Sequence, residues 1–297
     1  MPRSGLVLIA KPTGITSHDV VSKARRALGT KKIGHAGTLD PLATGLLVLG
    51  VEAGTKLLTF LVGADKTYLA TIRLGQATIS DDSQSEVIAS SDPQTLSLIS
   101  SERIQAEISK LTGQIMQRPS SVSAIKVAGK RAYDLVRSGE EVDLKERAVK
   151  IYSFELLDKR ISPEGFIDIS VKVDCSSGTY VRALARDLGK ALGVFGHITA
   201  LERTRVGSFS LDLATKLEDL QEKDIITLSS AAKDLMPTRL LSDSEVTDLV
   251  HGKQISAKNE SAQLLAGLNP KGKLIAVLEP SQTGLKSVVV FQGELND

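Results

Sequence analysis

The segment Gly34–Gly45, which reads GHAGTLDPLATG, constrains this chain more than any other stretch. Three glycines bracket a single carboxylate, Asp40, which a proline follows directly. Glycine permits left-handed backbone and close approach of another segment, while proline restricts the residue before it to extended or turn conformations. Asp40 is therefore predicted to lie in a rigid loop before the apolar strand that begins at Leu46. An ordinary turn between two strands explains the same residues, because Asp, Pro and Gly are common in turns.

Length and composition predict a soluble globular protein. The chain has 297 residues, of which 41% are hydrophobic, and this is enough to bury a substantial core. The single cysteine, Cys175, excludes an intramolecular disulfide and a cysteine-rich zinc cluster, and we expect it to be a small buried hydrophobe. The apolar run Leu6–Ala10 is too short for a signal sequence or a membrane span. A cytoplasmic protein is predicted.

Positive charge is concentrated near the N-terminus, although the net charge is only +2. The first forty residues hold seven basic side chains and two acidic ones. A helix is predicted over 17–28 with Ser17 as its N-cap, and Lys23, Arg25 and Arg26 are predicted to face away from the core. A local positive field suits a polyanionic partner such as RNA, although a solvated helix face explains the same charges.

The middle of the chain alternates between clear patterns and a polar connection. Ile167–Cys175 alternates apolar and polar residues and predicts a strand with one wet face, and residues 181–192 have helical spacing. Residues 79–100 are rich in Ser and Asp and predict an exposed connection. Within it, Asp81 and Asp82 are interpreted as solvated loop residues, since no clustered histidine or further carboxylate accompanies them.

Several motifs in fixed order identify a family. GHAGTLDPLATGLL is long enough to be specific, and the other blocks are KPTGITS from Lys11, KTY ending at Tyr68, RPSSVSAIK from Arg118, GTYVR from Gly178 and LERTRVG from Leu201. Together these blocks, spread over residues 5–212, resemble the TruB-type tRNA pseudouridine-55 synthases. Chance turn chemistry does not easily produce that many motifs in one order.

The resemblance implies roles for particular residues. It makes Asp40 the essential catalytic carboxylate, and it places Tyr68 against the target base, where the hydroxyl can assist proton removal. It pairs Arg182 with Asp40, and a nearby guanidinium lowers the pKa of a carboxyl group. From the helical spacing alone, Arg182 points away from the apolar face and is a solvated charge by default. The resemblance also implies substrate-binding residues: His35, Lys11, Tyr180, Leu201 and Lys126.

The fold implied by the resemblance is α/β with two domains. A pseudouridine synthase catalytic domain, with a mixed sheet and flanking helices, is predicted over residues 1–232. A small, mainly β, PUA-like RNA-binding domain is predicted over residues 237–297. The apolar runs Lys273–Glu279 and Ser287–Phe291 predict strands of this C-terminal domain. Its near-neutral charge leaves a purely structural cap as an alternative.

The implied function is conversion of uridine-55 in the T-loop of tRNA to pseudouridine by a monomeric enzyme. Because the glycosidic bond is broken and remade within one nucleotide, we expect no cofactor, metal or membrane to take part. The target lies in a folded loop, so the base must be flipped out. Two alternatives stay open: a noncatalytic tRNA-binding or folding protein, and a hydrolase of N-glycosides that releases free uracil.

Overall fold

The computed structural model describes residues 3–120, 126–127, 130–131, 144–257 and 263–291, with the backbone alone described at 126–127 and 130–131. Lys126, predicted to bind substrate, therefore lies outside the residues whose side chains are described. Within the described ranges, no helix is long and apolar enough to cross a membrane.

Helices lie between groups of strands along the chain, which gives a mixed α/β fold with a mixed sheet, as predicted. The α-helices of the described residues are α1 (Ser17–Ala27), α2 (Leu58–Val62), α3 (Pro93–Ser97), α4 (Ser101–Lys110), α5 (Val181–Ala191), α6 (Leu228–Leu235) and α7 (Asp243–Val250). Short 3₁₀ helices lie at Glu52–Lys56, Leu211–Leu213, Leu217–Asp219 and Glu222–Asp224.

The strands of the described residues are β1 (Gly5–Lys11), β2 (Ile33–Ala36), β3 (Thr44–Val51), β4 (Lys66–Leu74), β5 (Gln76–Thr78), β6 (Val87–Ser90), β7 (Gly113–Gln117), β8 (Lys126–Val127), β9 (Lys130–Arg131), β10 (Arg147–Ile161), β11 (Ile167–Cys175), β12 (Gly196–Val206), β13 (Phe209–Ser210), β14 (Thr215–Lys216), β15 (Ile226–Thr227), β16 (Thr238–Leu240), β17 (Leu265–Leu268), β18 (Leu274–Pro280) and β19 (Leu285–Val290).

The first of two compact units comprises the described residues of Met1–Pro41, Gly45–Val62 and Val206–Asp297. In it, β1 pairs antiparallel with β3 and β15 and parallel with β14, and β2 pairs antiparallel with β3. β1 and β3 are buried along nearly their whole length, which is why both read as continuous apolar runs. Apolar residues of α1, β1 and β3 share one buried core.

The second unit comprises the described residues of Leu42–Thr44 and Gly63–Arg205. Its strands lie in the order β12-β4-β11-β10-β7, and α4 and α5 pack against β10 and β4. The predicted strand at Ile167–Cys175 is confirmed as β11, with Val171 and Val173 buried and Lys172 exposed between them. Cys175 is buried as expected, and that burial raises the pKa of its thiol to about 11.

The C-terminal part of the first unit carries a sheet of its own, in the order β16-β17-β18-β19. β16 and β17 are parallel, and the other pairs are antiparallel. The predicted small β module is confirmed, with a core to which α7 contributes Leu249. The Lys56 ammonium donates to the carbonyl of Val290 (2.8 Å), which ties β19 to the 3₁₀ helix Glu52–Lys56. The exact boundary between domains 1–232 and 237–297 stays a prediction.

Two details of α1 differ from the sequence prediction. The N-cap is Thr16, whose hydroxyl accepts from the amide of Asp19 (3.1 Å), while the Asp19 carboxylate accepts from the amide of Thr16 (2.8 Å). The prediction of Ser17 as N-cap is therefore wrong, because the reciprocal capping box selects the residue three positions before the acid. Arg25 is half-buried and donates to the carbonyl of Ile33 (3.0 Å), so it does not face solvent as Lys23 and Arg26 do.

Candidate active site

Asp40 is half-buried in the loop between β2 and β3, and the residue before it is fixed to α1. The amide of Leu39 donates to the hydroxyl of Ser17 (2.9 Å), and that hydroxyl donates to the carbonyl of Leu39 (3.1 Å). One hydroxyl can do both, because it carries a donor and two acceptor lone pairs. Both residues are buried, so water does not compete for these bonds.

Pro41, the residue after Asp40, is held by the end of β1 and the turn that follows it. The carbonyl of Pro41 accepts from the amide of Gly14 (2.8 Å) and from the ammonium of Lys11 (3.4 Å). The same ammonium donates to the carbonyl of Pro12 (3.0 Å), and the Lys11 side chain is almost fully buried. Lys11 thus has a structural contact in this loop, and its predicted contact with substrate stays a prediction.

The glycines around the loop serve two different purposes. Gly37 and Gly45 have φ of 80° and 102°, a backbone region that glycine adopts without strain. At Gly34, a Cβ atom would lie 3.3 Å from the side chain of Leu58, so that position favours close packing. His35, predicted to contact substrate, is half-buried on β2 next to Gly34. The backbone therefore presents His35 and Asp40 from one tightly built segment.

In the second unit, Tyr68 lies on β4 and is 8% exposed. The adjacent Thr67 donates through its hydroxyl to Asp174 (3.2 Å) and accepts from Nε of Arg205 (2.9 Å). Arg205 and Asp174 are themselves paired at 2.6 Å. Side chains from β11 and β12 therefore fix the strand position that carries Tyr68.

Arg182 is buried in the first turn of α5 rather than solvated. Its guanidinium lies 3.3 Å from the carboxylate of Asp82 and donates to the carbonyl of Ser80 (2.7 Å). The Ser80 hydroxyl in turn donates to the Asp82 carboxylate (2.6 Å). A buried guanidinium needs this compensation, because an unpaired charge inside a protein is very costly.

The interpretation of Asp81 and Asp82 as solvated loop residues is wrong, since both are buried. Asp81 has φ of 59° and lies 3.0 Å from Arg186, one helical turn after Arg182. Burial raises the pKa of Asp81, and the Arg186 charge opposes that shift. Two adjacent acids matched to arginines at i and i+4 of a helix were the available sequence signal. The turn between β5 and β6 folds back onto α5, so each of the two acids pairs with one of the two arginines.

The other predicted substrate-binding residues also lie in the second unit. Tyr180 is half-buried and immediately precedes α5, and its backbone bonds to the side chain of Gln117. Leu201 is half-buried on β12, and its carbonyl accepts from the hydroxyl of Thr44 (3.5 Å). Their contact with substrate stays a prediction, as it does for Lys126. In the described ranges, no three His, Cys, Asp or Glu side chains cluster as a metal site would require.

The chemistry available from these residues is acid–base and electrostatic. A carboxylate on an anchored loop can attack an electron-poor carbon or stabilise a developing cation. A tyrosine can stack on a base through its ring and exchange a proton through its hydroxyl. A buried guanidinium with fixed partners supplies a positive charge in a defined place.

Models of pseudouridine synthase domains match nearly the whole chain, over residues 25–292. Residues 25–181 match the model described as "TruB family pseudouridylate synthase (N terminal domain)". Residues 182–245 match "tRNA pseudouridylate synthase B C-terminal domain". Residues 236–292 match "tRNA Pseudouridine synthase II, C terminal".

Curated relatives agree with those models. The tRNA pseudouridine synthase B of Paenarthrobacter aurescens (strain TC1) is 50% identical over 298 residues, covering 97% of this chain and 95% of that protein. The tRNA pseudouridine synthase B of Corynebacterium diphtheriae is 49% identical over 289 residues, covering 97% of this chain and 96% of that protein.

Solved structures share the fold. A chain of the "Crystal Structure of a Cbf5-Nop10-Gar1 Complex" matches with a TM-score of 0.71 and 26% identity, covering 97% of this chain and 83% of that one. A chain of the "Structure of H/ACA RNP bound to a substrate RNA containing 2'-deoxyuridine" matches with a TM-score of 0.72 and 24% identity, covering 97% and 84%.

Proposed function

The chain belongs to the TruB family of pseudouridylate synthases, and we propose that it acts on the T-loop of tRNA, where it converts uridine-55 after flipping the base out. The class of reaction follows from the relatives: the enzyme is an isomerase that converts uridine in tRNA to pseudouridine. Identity of 50% over 97% of the chain is the observation that carries the proposal. The cost of unstacking the base must be offset by contacts in the pocket.

Asp40 is the proposed catalytic carboxylate. The reaction breaks the bond between C1′ and N1, rotates the uracil and joins C1′ to C5, while C5 loses its proton and N1 gains one. The carboxylate either attacks the nucleotide or stabilises the charge that develops on it. Support comes from the anchoring of Leu39 by Ser17 and of Pro41 by Gly14, since a reacting group must be held in place.

Tyr68 and Arg182 complete the proposed catalytic set. The Tyr68 ring stacks on the flipped base, and its hydroxyl assists removal of the C5 proton. Arg182 keeps the catalytic carboxylate ionised, because a nearby positive charge lowers the pKa of an acid. The ion pair with Asp82 supports this role by holding the guanidinium in one orientation.

The remaining predicted contacts belong to substrate binding. The T stem-loop is held by His35, Lys11, Tyr180, Leu201 and Lys126. The enzyme acts as a monomer in the cytoplasm, and it uses no cofactor or metal in the reaction. The small C-terminal β domain adds contacts to the RNA.

The test is to incubate the enzyme with an unmodified tRNA transcript and to map every modified nucleoside. Pseudouridine at position 55, absent from a transcript with cytidine there, supports the proposal. A minimal T stem-loop should also be a substrate. Free uracil would identify an N-glycoside hydrolase instead. Binding of the tRNA without any change of its nucleosides would identify a noncatalytic tRNA-binding protein.

A further inference from the structure

Tyr180 starts the helix that carries Arg182, yet it is a poor residue for that position. It is the N-cap of α5, and its side chain makes no capping hydrogen bond. N-caps are usually Ser, Thr, Asp or Asn, whose oxygens accept from the first free amides of a helix. Something else must therefore fix the direction in which α5 leaves the loop.

Gln117 supplies that fixation from the neighbouring strand. Its Oε1 accepts from the amide of Tyr180 (2.8 Å), and its Nε2 donates to the carbonyl of Tyr180 (3.1 Å). Gln117 is fully buried at the end of β7, so these bonds have no competition from water. The same carbonyl also accepts the first helical bond, from the amide of Leu184 (3.2 Å).

Arg147 holds the ring of the same residue. Its guanidinium carbon lies 4.6 Å from the centroid of the Tyr180 ring. Among the described residues, the buried Nε of Arg147 has no hydrogen-bond partner. A buried donor without a partner costs stability, so among the described residues a hydrogen bond at Nε does not account for the position of this guanidinium. The contact with the face of the Tyr180 ring is favourable for a cation, and it links Arg147 to the start of α5.

The two residues that hold Tyr180 are partners in the sheet. Arg147 on β10 lies directly opposite Gln117 on β7. A strand pair of this kind places both side chains on one face, close enough to act on one target. A single cross-strand pair thus holds Tyr180 by its backbone and by its ring.

We propose that Gln117 and Arg147 are positioning residues for the pseudouridine reaction, acting on Tyr180 and, through the start of α5, on Arg182. This inference rests on the proposed function of Tyr180 and Arg182. Neither residue needs to touch the reacting atoms. Because Tyr180 is only one of five proposed contacts to the T stem-loop, we expect loss of Gln117 or Arg147 to lower the rate of the chemical step far more than the affinity for tRNA.

The same two strands supply matched controls. Gln114 on β7 lies opposite Lys150 on β10, three residues along each strand from the Gln117–Arg147 pair, and Gln114 is exposed. The ammonium of Lys150 lies 5.0 Å from the centroid of the Tyr152 ring, so this pair also includes a cation over an aromatic ring. Gln114→Met repeats the amide change of Gln117→Met, and Lys150→Met removes a cation as Arg147→Met does, on the same two strands but away from Tyr180.

The experiment measures single-turnover pseudouridine formation at saturating enzyme, with the Kd for tRNA and the thermal midpoint measured in parallel. Gln117→Met should slow the reaction at least thirtyfold and leave Kd within threefold, because it removes both bonds to Tyr180 without changing side-chain length. Arg147→Met should slow it at least tenfold. Gln114→Met and Lys150→Met should each stay within twofold of wild type.

A double-variant comparison links Arg147 to its target. If Arg147 acts through the Tyr180 ring, then adding Arg147→Met to Tyr180→Leu should slow the reaction less than twofold further. Independent, multiplicative losses would overturn the assignment of Arg147. If Gln117→Met does not fold, the Arg147 comparison still decides the proposal.

The outcomes separate this inference from the function on which it rests. A wild-type enzyme that forms no pseudouridine overturns both. An active wild type whose Gln117→Met and Arg147→Met variants match their controls overturns this inference alone. Losses in rate no larger than the losses in tRNA affinity, together with a lower thermal midpoint, would also overturn it, since they would indicate a general loss of structure.

Discussion

Arg182 and Asp82 form an ion pair with 3.3 Å between nitrogen and oxygen, and their side chains are only 6% and 5% exposed. The pair joins the first turn of α5 to the turn between β5 and β6. Removing one partner of a buried pair costs about 3–5 kcal/mol, because the other charge is left uncompensated. The position and the stability of the Arg182 guanidinium therefore depend on Asp82.

Asp82→Asn is expected to lower both the thermal midpoint and the rate of pseudouridine formation. The asparagine side chain keeps the shape of the Asp82 side chain but removes its charge. Because Asp82 is buried, tRNA affinity should change little. Thermal unfolding and single-turnover kinetics check this. The control is Asp92→Asn, an exposed N-cap of α3 where asparagine serves as well as aspartate. An Asp82 variant that behaves like this control would contradict the prediction.

Ser17→Ala tests the anchoring of the Asp40 loop. The change removes one hydroxyl and leaves the buried amide and carbonyl of Leu39 without that partner, at a cost of about 1–3 kcal/mol. We expect a slower chemical step with tRNA affinity retained, because the loop is loosened next to Asp40. Ser22→Ala on the same helix is the control, since Ser22 lies five residues after Ser17 and is not one of the buried residues of α1. An unchanged single-turnover rate would show that the Ser17 bonds do not position the carboxylate.

Hydrophobic pattern predicted the framework of the fold but not the identity of its polar contacts. Alternation located β11, and the apolar run that begins at Leu46 located β3, because burial of side chains follows local period. The predicted N-cap of α1 is wrong because Thr16 and Ser17 are both residues that cap helices well. Only the partner three residues later, Asp19, decides between them.

The acids of the β5–β6 turn show why site prediction from local sequence falls short. Asp81 and Asp82 lie in a stretch whose composition is typical of an exposed loop, and their burial depends on arginines one hundred residues further along the chain. The same holds for Arg25, whose contact with Ile33 forms only once β2 packs beside α1. Contacts between separate elements, as in these cases, carry no local period for sequence reasoning to detect.

The exposed basic residues of α1 are expected to contribute to tRNA affinity. Lys23 and Arg26 are exposed, while Arg25 donates to the carbonyl of Ile33. Replacing Lys23 and Arg26 together with alanine should weaken binding and flatten its salt dependence, since each phosphate contact adds about 0.7–0.9 to the slope of log K against log salt. Arg25→Ala should mainly lower the thermal midpoint. Unchanged affinity and slope in the double variant would mean that this helix face is merely solvated.

Tyr68 should contribute through its ring and its hydroxyl separately. Stacking of a base on an aromatic ring is worth about 1–3 kcal/mol, and Tyr68→Phe keeps the ring. We therefore expect Tyr68→Phe to retain tRNA binding and to slow the reaction, whereas Tyr68→Leu should impair both. Binding and single-turnover assays on the two variants check this. Full activity in both would remove Tyr68 from the catalytic set.

Asp40→Asn distinguishes a catalytic role of the loop between β2 and β3 from a purely structural one. Asparagine serves in turns as well as aspartate does, and the neighbours Leu39 and Pro41 are held by backbone bonds that the change leaves in place. Fold and tRNA binding should therefore survive. Pseudouridine formation should be lost, because the amide can neither attack carbon nor stabilise a developing cation as an anion does. The measurement is single-turnover formation at saturating enzyme, and activity within about tenfold of wild type, equivalent to only about 1.4 kcal/mol of barrier, would rule out the catalytic assignment.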